Sequence, residues 1–212
     1  MNPARRTAAR TALIVAAVGL AVAAAMVPGV LGGPSAVDRL DAALRDSMPS
    51  SLGLGLDAFN LVGGLPVWTM LVVLAAALAW TRRRLALEVI GISLLVEALT
   101  TVLRVLVDRP RPPIGVNTEL LVAAGFPSGH VARTVMFMAT LLVVLPWARR
   151  HRRTWLGIAL VVVGLMCIAR VDAAAHFALD TLAGVLLGAA AVAGWVLLRD
   201  PEAAGELDVR RL

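Results

Sequence analysis

The chain has 212 residues, of which 59% are hydrophobic and 16% are charged. A soluble domain of this size has about 45–50% apolar residues and about 25% charged residues. The excess apolar residues lie in runs of about 20, which is the length of a helix that crosses a bilayer core. This composition excludes an ordinary soluble enzyme and a disordered chain. A disulfide scaffold is excluded as well, because Cys167 is the only cysteine.

The apolar runs predict an all-α fold, in which a single domain, 1–212, forms a polytopic bundle of six membrane-spanning helices. The predicted spans are 11–31, 57–80, 85–107, 129–147, 154–171 and 177–198. A cleavable secretory signal is the alternative for the first span, because Arg5 and Arg6 precede an alanine-rich apolar stretch. Cleavage there would leave the sidedness of the later segments unchanged.

Arginine is unevenly distributed between the two sides of the predicted bundle. All 20 basic residues are arginine, and 13 of them lie before the first span or after the second, fourth and sixth spans. These are Arg5, Arg6, Arg10, Arg82, Arg83, Arg84, Arg149, Arg150, Arg152, Arg153, Arg199, Arg210 and Arg211. The positive-inside rule places that side, with the terminal segments 1–10 and 199–212, in the cytoplasm of a plasma-membrane protein. The net charge of +6 therefore reflects topology, and no nucleic-acid partner is expected.

Tryptophans also lie near the predicted cytoplasmic ends of the spans, at Trp80, Trp147, Trp155 and Trp195. Tryptophan is enriched in aromatic belts at the membrane–water interface. The tryptophans and the arginines therefore predict the same orientation.

The outer segment 32–56, between the first two spans, contains a candidate surface helix. Ser35 and Asp38 have the spacing of a capping box at a helix start. The apolar residues that follow at helical spacing are Val37, Leu40 and Leu44, and the charged residues expected opposite them are Asp38, Asp41, Arg45 and Asp46. We predict a short amphipathic helix, 36–48, on the outer leaflet. A solvated linker is the alternative, because the apolar stripe is narrow.

Polar residues that hydropathy does not explain lie at the predicted outer ends of four spans. They are Arg104, Arg109 and Arg111 at the end of the third span, Pro127, Ser128, Gly129 and His130 at the start of the fourth, Arg170 at the end of the fifth, and His176 and Asp180 at the start of the sixth. Because these ends share one side of the membrane, the residues form a candidate active site at the extracytoplasmic face.

The residue types suit the binding and transfer of an anionic group. Guanidinium groups bind phosphate oxygens bidentately, and backbone N–H groups at a helix start, here at Ser128 and Gly129, add anion-binding donors. His176 and Asp180 are four residues apart and share one helix face, so the carboxylate would fix the tautomer of the imidazole. His130, on another helix, would act as a general acid. Each feature alone has a structural alternative, namely a snorkelling arginine, a structural histidine or a helix cap.

Three motifs in this order resemble the signature of the type 2 phosphatidic acid phosphatase family, whose fold and site are shared with vanadium haloperoxidases. The family signature is Lys-x6-Arg-Pro, then Pro-Ser-Gly-His, then Ser-Arg-x5-His-x3-Asp. The matching residues are Arg104-x6-Arg111-Pro112, Pro127-Ser128-Gly129-His130 and Ala169-Arg170-x5-His176-x3-Asp180. The resemblance covers 85–198, the predicted catalytic core. Arg104 and Ala169 depart from the lysine and the serine of the signature.

The resemblance implies a role for each motif residue. His176 would be the nucleophile that forms a phosphohistidine, Asp180 would orient it, and His130 would protonate the leaving oxygen and then activate water. The residues that would hold the phosphoryl oxygens are Arg104, Arg111, Ser128, Gly129 and Arg170. The family needs no metal or other cofactor, and the arginines supply the positive charge that a metal would otherwise bring.

Three further residues are candidates for the site, namely Arg109, Pro127 and Glu97. Arg109 either binds the substrate or only anchors its loop. Glu97 lies in the middle of the third span, where an acid is costly and faces the bundle interior or a cavity. It is either a structural partner for Arg133 or a threonine, or a neutral carboxylic acid that lines the substrate cleft.

These features predict an integral-membrane phosphatase that acts on a lipid phosphate or diphosphate of the bilayer. Among the family's bacterial substrates, a polyprenyl diphosphate such as undecaprenyl diphosphate is favoured over phosphatidylglycerol phosphate and phosphatidic acid. The reason is charge, because four arginines offer more than one phosphate requires, namely Arg104, Arg109, Arg111 and Arg170. The alternatives are a lipid phosphotransferase with the same intermediate and a non-catalytic membrane protein with a residual anion site.

Overall fold

The structure, a computed structural model, describes residues 36–47, 56, 61, 64–112 and 124–198. Every regular element in these ranges is an α-helix, as the composition predicts. The helices are α1 (Ala36–Asp46), α2 (Leu65–Thr81), α3 (Arg83–Val107), α4 (Gly129–Val144), α5 (Pro146–Arg150), α6 (Arg152–Asp172) and α7 (Ala178–Leu198). The predicted first span 11–31, the terminal segments 1–10 and 199–212, and much of the outer segment 32–56 lie outside the described residues.

Three of these helices are long and apolar enough to cross a membrane, namely α3, α6 and the part of α7 at Ala178–Val196. Helices α2 and α4 contain the shorter apolar stretches Pro66–Thr81 and Gly129–Val144. The outward faces of the helices are apolar as well, with exposed side chains such as Leu94 and Leu160. Lipid rather than water suits such a surface, so the chain is a multi-pass membrane protein. Each of the last five predicted spans overlaps one of these helices.

The fourth predicted span, 129–147, is too long at its end. Helix α4 ends at Val144, and Leu145 has an extended backbone with φ −89° and ψ 122°. The residue before a proline is disfavoured in the helical conformation, and the proline ring removes a hydrogen-bond donor, so Pro146 ends α4 and begins the short helix α5.

The hydrophobic core lies between α2, α3, α4 and α7, and α4 also contacts α6. The buried side chains of this core are Val67, Leu71, Leu85, Val89, Ile92, Val96, Ala132, Met136, Val144, Val192 and Trp195. The bundle therefore packs around one face of α4, whose first residues belong to the candidate site.

Two glycines allow α7 to approach the backbone of α4 closely. A Cβ at Gly184 would lie 2.5 Å from the carbonyl oxygen of Ser128, and a Cβ at Gly188 would lie 2.5 Å from the carbonyl oxygen of Ala132. Small residues spaced by four are common where membrane helices pack closely. This packing places the starts of α4 and α7, and the motif residues on them, side by side.

A helix is present where the sequence predicts one in the outer segment, as α1, which ends at Asp46. The prediction that Asp41 lies opposite the apolar residues of this helix, on its polar face, is wrong. Asp41 is only 1% exposed, whereas Leu40 and Leu44 are 51% and 40% exposed. The reason is that Asp41 has buried partners, because its carboxylate contacts Arg109 and the backbone N–H of Leu179 at the start of α7.

The tryptophans predicted to form an aromatic belt differ in their exposure. Trp80 is 93% exposed, which suits a residue at the membrane interface. Trp195 is instead only 9% exposed and donates a hydrogen bond to Glu88 on α3, 3.0 Å away. A buried indole N–H needs an acceptor, and Glu88 supplies it inside the bundle.

Candidate active site

The motif residues meet where α3 and α6 end and α4 and α7 begin. Helix α3 ends at Val107, and the residue that caps it, Asp108, has a left-handed φ of 42°. The backbone N–H of Ser128 donates to the carbonyl of Asp180 at 2.9 Å, and that of Gly125 donates to the carbonyl of Arg109 at 2.7 Å. These bonds join the three segments that carry the motifs into one cluster.

His176 is fully buried in the turn between α6 and α7. Its Nδ1 lies 2.7 Å from the carbonyl oxygen of Gly125, while Oδ2 of Asp180 is 3.8 Å away, beyond hydrogen-bond distance. A carbonyl only accepts hydrogen bonds, so Nδ1 carries the proton and Nε2 has a lone pair. Nε2 is buried and has no hydrogen-bond partner among the described residues. The sequence predicted that Asp180 would fix this tautomer, whereas the acceptor at hydrogen-bond distance is the Gly125 carbonyl.

The charges around His176 act in opposite directions on its pKa. Burial lowers the pKa below the ordinary value of 6.5, and the positive charges of Arg170 and Arg111 lower it further. Asp180 opposes this effect, but burial is the largest cause. The imidazole is therefore neutral at pH 7, which is the form that can act as a nucleophile.

Asp180 is fully buried, and its two carboxylate oxygens have different partners. Oδ1 lies 2.6 Å from Nη1 of Arg109, and Oδ2 accepts the backbone N–H of Phe177 at 2.9 Å. The second contact is half of a capping box, because Asp180 is the third residue of α7 and reaches back to the residue before the helix. Helix capping and the ion pair together hold the carboxylate beside His176.

Arg109 is the anchor and not a free cation. Its guanidinium pairs with Asp180 and, at 2.8 Å, with Asp41, and it lies 4.5 Å above the ring of Phe177. Two carboxylates thus compensate its charge. Of the two alternatives that the sequence left open, the structure supports the loop anchor.

The other three arginines of the motifs surround the cluster. Arg104 is buried, with Nη2 3.0 Å from the position that a Cβ on Gly129 would take. Arg170 is buried at the end of α6. Arg111 is half-buried and donates to the carbonyls of Ala175 and Ala124, at 3.2 and 3.4 Å. These contacts hold the loops before α4 and α7 together.

The Pro127-Ser128-Gly129 segment forms the start of α4. Pro127 follows a cis peptide bond and is buried, and Ser128 has an extended backbone before the helix begins at Gly129. The Ser128 hydroxyl oxygen is buried and makes no hydrogen bond within the described ranges. A buried hydroxyl with this property is available to a bound group, as are the first N–H groups of the helix.

His130 lies one residue further into α4 and is buried. Nη2 of Arg133 is 3.4 Å from its Nδ1. Nη1 of Arg133 pairs with Glu97 at 2.9 Å. Glu97 is therefore the structural partner of Arg133, one of the two alternatives that the sequence left open. Nε2 of His130 faces Gly64, 3.4 Å from the position of a Cβ there, at the start of α2.

Sequence reasoning missed three contributors to this site, namely Gly125, Phe177 and Asp41. No pattern marks Gly125, because any residue can supply a backbone carbonyl. Phe177 is adjacent to His176, but its contact with Arg109 has no signature in the sequence. Asp41 had a signal, because it follows Val37 by four residues and precedes Leu44 by three, and so lies near the apolar face of α1.

The geometry suits covalent transfer of a phosphoryl group to a histidine. It combines a neutral imidazole with a free lone pair, a second histidine, three cationic side chains and helix-start N–H groups. Within the ranges described, no group of three or more His, Cys, Asp or Glu residues could hold a metal ion.

Two comparisons with known proteins found a match for this chain. The sequence model of the PAP2 superfamily matches residues 85–203. A crystal structure of a transmembrane PAP2-type phosphatidylglycerolphosphate phosphatase from Bacillus subtilis superposes with a TM-score of 0.71 and 21% identity, over 94% of this chain and 98% of that one. No curated protein matches the chain with significance. Because the matched region is more than half of the chain and contains all three motifs, the chain belongs to the PAP2 superfamily.

Proposed function

We propose that the chain is a membrane lipid phosphatase that works through a phosphohistidine on His176. The observation that supports this most directly is the state of the His176 ring. Nδ1 donates to the Gly125 carbonyl at 2.7 Å, which directs the lone pair of the buried Nε2 away from that loop. A neutral imidazole in this tautomer is a nucleophile that needs no prior loss of a proton.

In the first step, Nε2 of His176 attacks the phosphorus atom and a new N–P bond forms. The bond between phosphorus and the lipid oxygen breaks, and His130, which enters this step as the imidazolium, gives one proton to that oxygen and becomes neutral. Arg104, Arg111 and Arg170, with the N–H groups at the start of α4, stabilise the negative charge on the three equatorial oxygens. The negative charge of Asp180 stabilises the imidazole ring, which becomes positive as the N–P bond forms.

In the second step, the deprotonated His130 takes a proton from a water molecule. The water oxygen attacks the phosphorus atom on the side opposite Nε2, the N–P bond breaks, and inorganic phosphate leaves. His176 returns to its neutral form with the proton still on Nδ1. The arginines supply the positive charge throughout, so we propose that the reaction needs no metal ion.

The substrate that we propose is a lipid phosphomonoester. The sequence favoured a diphosphate because it counted four arginines, but Arg109 is compensated by Asp41 and Asp180. The other three motif arginines can each face one of the three equatorial oxygens of a single transferred phosphoryl group. The structural neighbour, a phosphatidylglycerolphosphate phosphatase, supports the same choice. A polyprenyl diphosphate remains the second candidate.

We further propose that the lipid reaches the site sideways from the extracytoplasmic leaflet. The site lies at the ends of apolar helices, which is the depth of lipid headgroups when these helices span the bilayer. Helix α1, whose Leu40 and Leu44 are exposed, lies beside the start of α7 and would line this lateral entrance. A soluble phosphate ester would gain nothing from a site at this depth.

The test is a substrate panel in detergent micelles that contain EDTA. It compares phosphatidylglycerol phosphate, phosphatidic acid, undecaprenyl diphosphate and a water-soluble phosphomonoester by phosphate release. We expect the highest kcat/KM for a glycerolipid phosphomonoester, no release by His176→Ala, and unchanged release by His151→Ala, because His151 is exposed and distant in the sequence from the motifs. An alkaline quench should trap radiolabelled phosphate on the wild type and not on His176→Ala.

Several outcomes would contradict parts of the proposal. If His176→Ala kept more than about a tenth of the wild-type kcat, the covalent mechanism would be wrong. An equal or higher kcat/KM for the soluble ester would remove the argument for lateral access. If phosphate release were lost in EDTA and returned only with magnesium, the arginines would not supply enough positive charge for the reaction without a metal ion. Transfer of labelled phosphate to an added lipid alcohol in place of water would identify a phosphotransferase.

A further inference from the structure

Asp41 is a buried acid that lies outside the three motifs and ahead of the matched family region, 85–203. Oδ2 of its carboxylate is 2.8 Å from Nη2 of Arg109. Oδ1 accepts the backbone N–H of Leu179 at 3.0 Å, and so caps α7 from another helix. Burying a carboxylate costs free energy unless it is paired, and here each oxygen has a partner.

Arg109 connects Asp41 to the candidate active site. Its Nη1 lies 2.6 Å from Oδ1 of Asp180, and its Nη2 lies 2.8 Å from Oδ2 of Asp41. Oδ2 of Asp180 accepts the N–H of Phe177, 2.9 Å away, and lies 3.8 Å from Nδ1 of His176. One guanidinium is thus shared between two carboxylates.

Removal of the Asp41 charge would change how Arg109 binds Asp180. A guanidinium prefers to bind a carboxylate with two parallel hydrogen bonds. With Nη2 released, Arg109 would turn both nitrogens toward Asp180 and draw Oδ2 away from His176. The carboxylate would then stabilise a positive imidazole ring less effectively.

We propose that Asp41 is a positioning residue for the phosphoryl-transfer reaction, which acts through Arg109 to hold Oδ2 of Asp180 toward His176. The inference rests on the proposed function of the site. It gives the surface helix α1 a part in the chemistry, since α1 supplies a charge that controls the carboxylate beside the nucleophile.

The first test compares Asp41→Asn with the matched control Asp46→Asn, an exposed acid on the same helix. Asparagine keeps the shape and an acceptor for the Leu179 N–H but removes the charge. We expect kcat for the lipid substrate to fall about tenfold or more, as for other residues that support a catalytic group, with KM unchanged within about threefold. Asp46→Asn should behave like the wild type. An Asp41→Asn variant that keeps more than about half of the wild-type kcat would overturn the proposal.

The second test asks whether Asp41 acts through Arg109, by a double-mutant cycle with Arg109→Gln. Arg109→Gln leaves two buried carboxylates without their shared cation. If Asp41 acts through Arg109, the double variant should have a kcat equal to or higher than that of Arg109→Gln alone. Additive losses would overturn the proposal. This comparison also decides the matter if Asp41→Asn alone does not fold, because the double variant removes both members of the pair.

The third test does not depend on turnover. The 15N signals of His176, assigned with His130→Gln and His151→Gln variants, report the surroundings of its ring nitrogens. Asp41→Asn should move these signals and Asp46→Asn should not, whereas unmoved signals in Asp41→Asn would overturn the proposal. If the wild type released no phosphate from any lipid, the proposed function would be wrong, and the histidine signals would still decide the role of Asp41.

Discussion

At the scale of single residues, the two nitrogens of His176 have opposite environments. Nδ1 donates to a backbone carbonyl at 2.7 Å, and Nε2 is buried beside cationic side chains. A backbone carbonyl orients the ring without bringing a full negative charge to it. A carboxylate in direct contact would bring that charge and favour the protonated ring. The ring therefore remains neutral over a wider range of pH.

The first prediction concerns the pH dependence of His176. Burial lowers its pKa, so we expect the 15N signals of this ring in labelled protein to titrate below pH 6.5. In the unfolded chain the same histidine binds a proton near its ordinary pKa. As the pH falls below 6.5, the unfolded state therefore binds more protons than the folded state does. The folded protein should accordingly lose thermal stability in this range, and His176→Gln should lose less. A titration at or above pH 6.5 would show that Asp180 outweighs burial.

The motif residues at this scale could be predicted from the sequence because their types and spacing are specific. The partner of each residue could not be predicted in the same way. Arg109 was one of four similar arginines, and only its contacts with Asp41 and Asp180 distinguish it from Arg104 and Arg170. Charge complementarity between distant segments depends on which side chains the fold brings within about 4 Å.

At the scale of helices, the contact between α4 and α7 determines the positions of both histidine-bearing segments. The contact is close because Gly184 and Gly188 carry no side chain on the face that meets α4. Ser128 at the start of α4 and Asp180 at the start of α7 are joined by a backbone hydrogen bond of 2.9 Å. A small displacement of one helix along the other would therefore separate the parts of the site.

The second prediction tests this contact with Gly188→Ala. The added Cβ would lie 2.5 Å from the carbonyl oxygen of Ala132 and 2.9 Å from Cβ of Val135, so α7 must move away from α4. We expect a loss of about 1–3 kcal/mol in stability, as for other overpacked contacts, with a lower kcat. Thermal unfolding in detergent measures the first effect and phosphate release the second.

The matched control is Gly194→Ala on the same helix, where a Cβ would meet nothing within 4 Å. Alanine has a higher helix propensity than glycine, so this variant should be as stable as the wild type or more stable by up to about 1 kcal/mol. If the two substitutions changed stability and kcat equally, the close approach of α7 to α4 would not be the cause of the effects of Gly188→Ala.

Helix bounds were predictable to within a few residues wherever hydropathy changes abruptly. For α3, α6 and α7 the predicted and observed bounds differ by one or two residues. The errors arose where another physical effect competes with hydropathy. Pro146 ends α4 before its apolar run ends, and the contact with Arg109 turns the side chain of Asp41 inward.

At the scale of the whole molecule, the described helices place the candidate site at one end of the bundle. The uneven distribution of arginine predicts that this end faces away from the cytoplasm. Both ends carry exposed residues that can be replaced by cysteine, such as Ser47 after α1 and His151 between α5 and α6. The orientation can therefore be tested by chemical labelling.

The third prediction is the outcome of that labelling, in a background where Cys167 is replaced by alanine. Ser47→Cys should react with a membrane-impermeant maleimide on intact cells, because we expect it on the site side. His151→Cys should react only after the cells are broken. The reverse pattern would place the site on the cytoplasmic side and change the pool of lipids that it meets.

Hydropathy and residue spacing along one chain suffice to predict the class of the protein, its long helices and the residues of its three motifs. The pairing of Arg109 with two carboxylates and the carbonyl that holds the His176 tautomer follow from the packing of the chain in three dimensions. These properties depend on distances between segments far apart in the chain, such as Asp41, Arg109 and Asp180. Electrostatic and hydrogen-bond energies change over a few tenths of an ångström, and no sequence pattern records a separation that small.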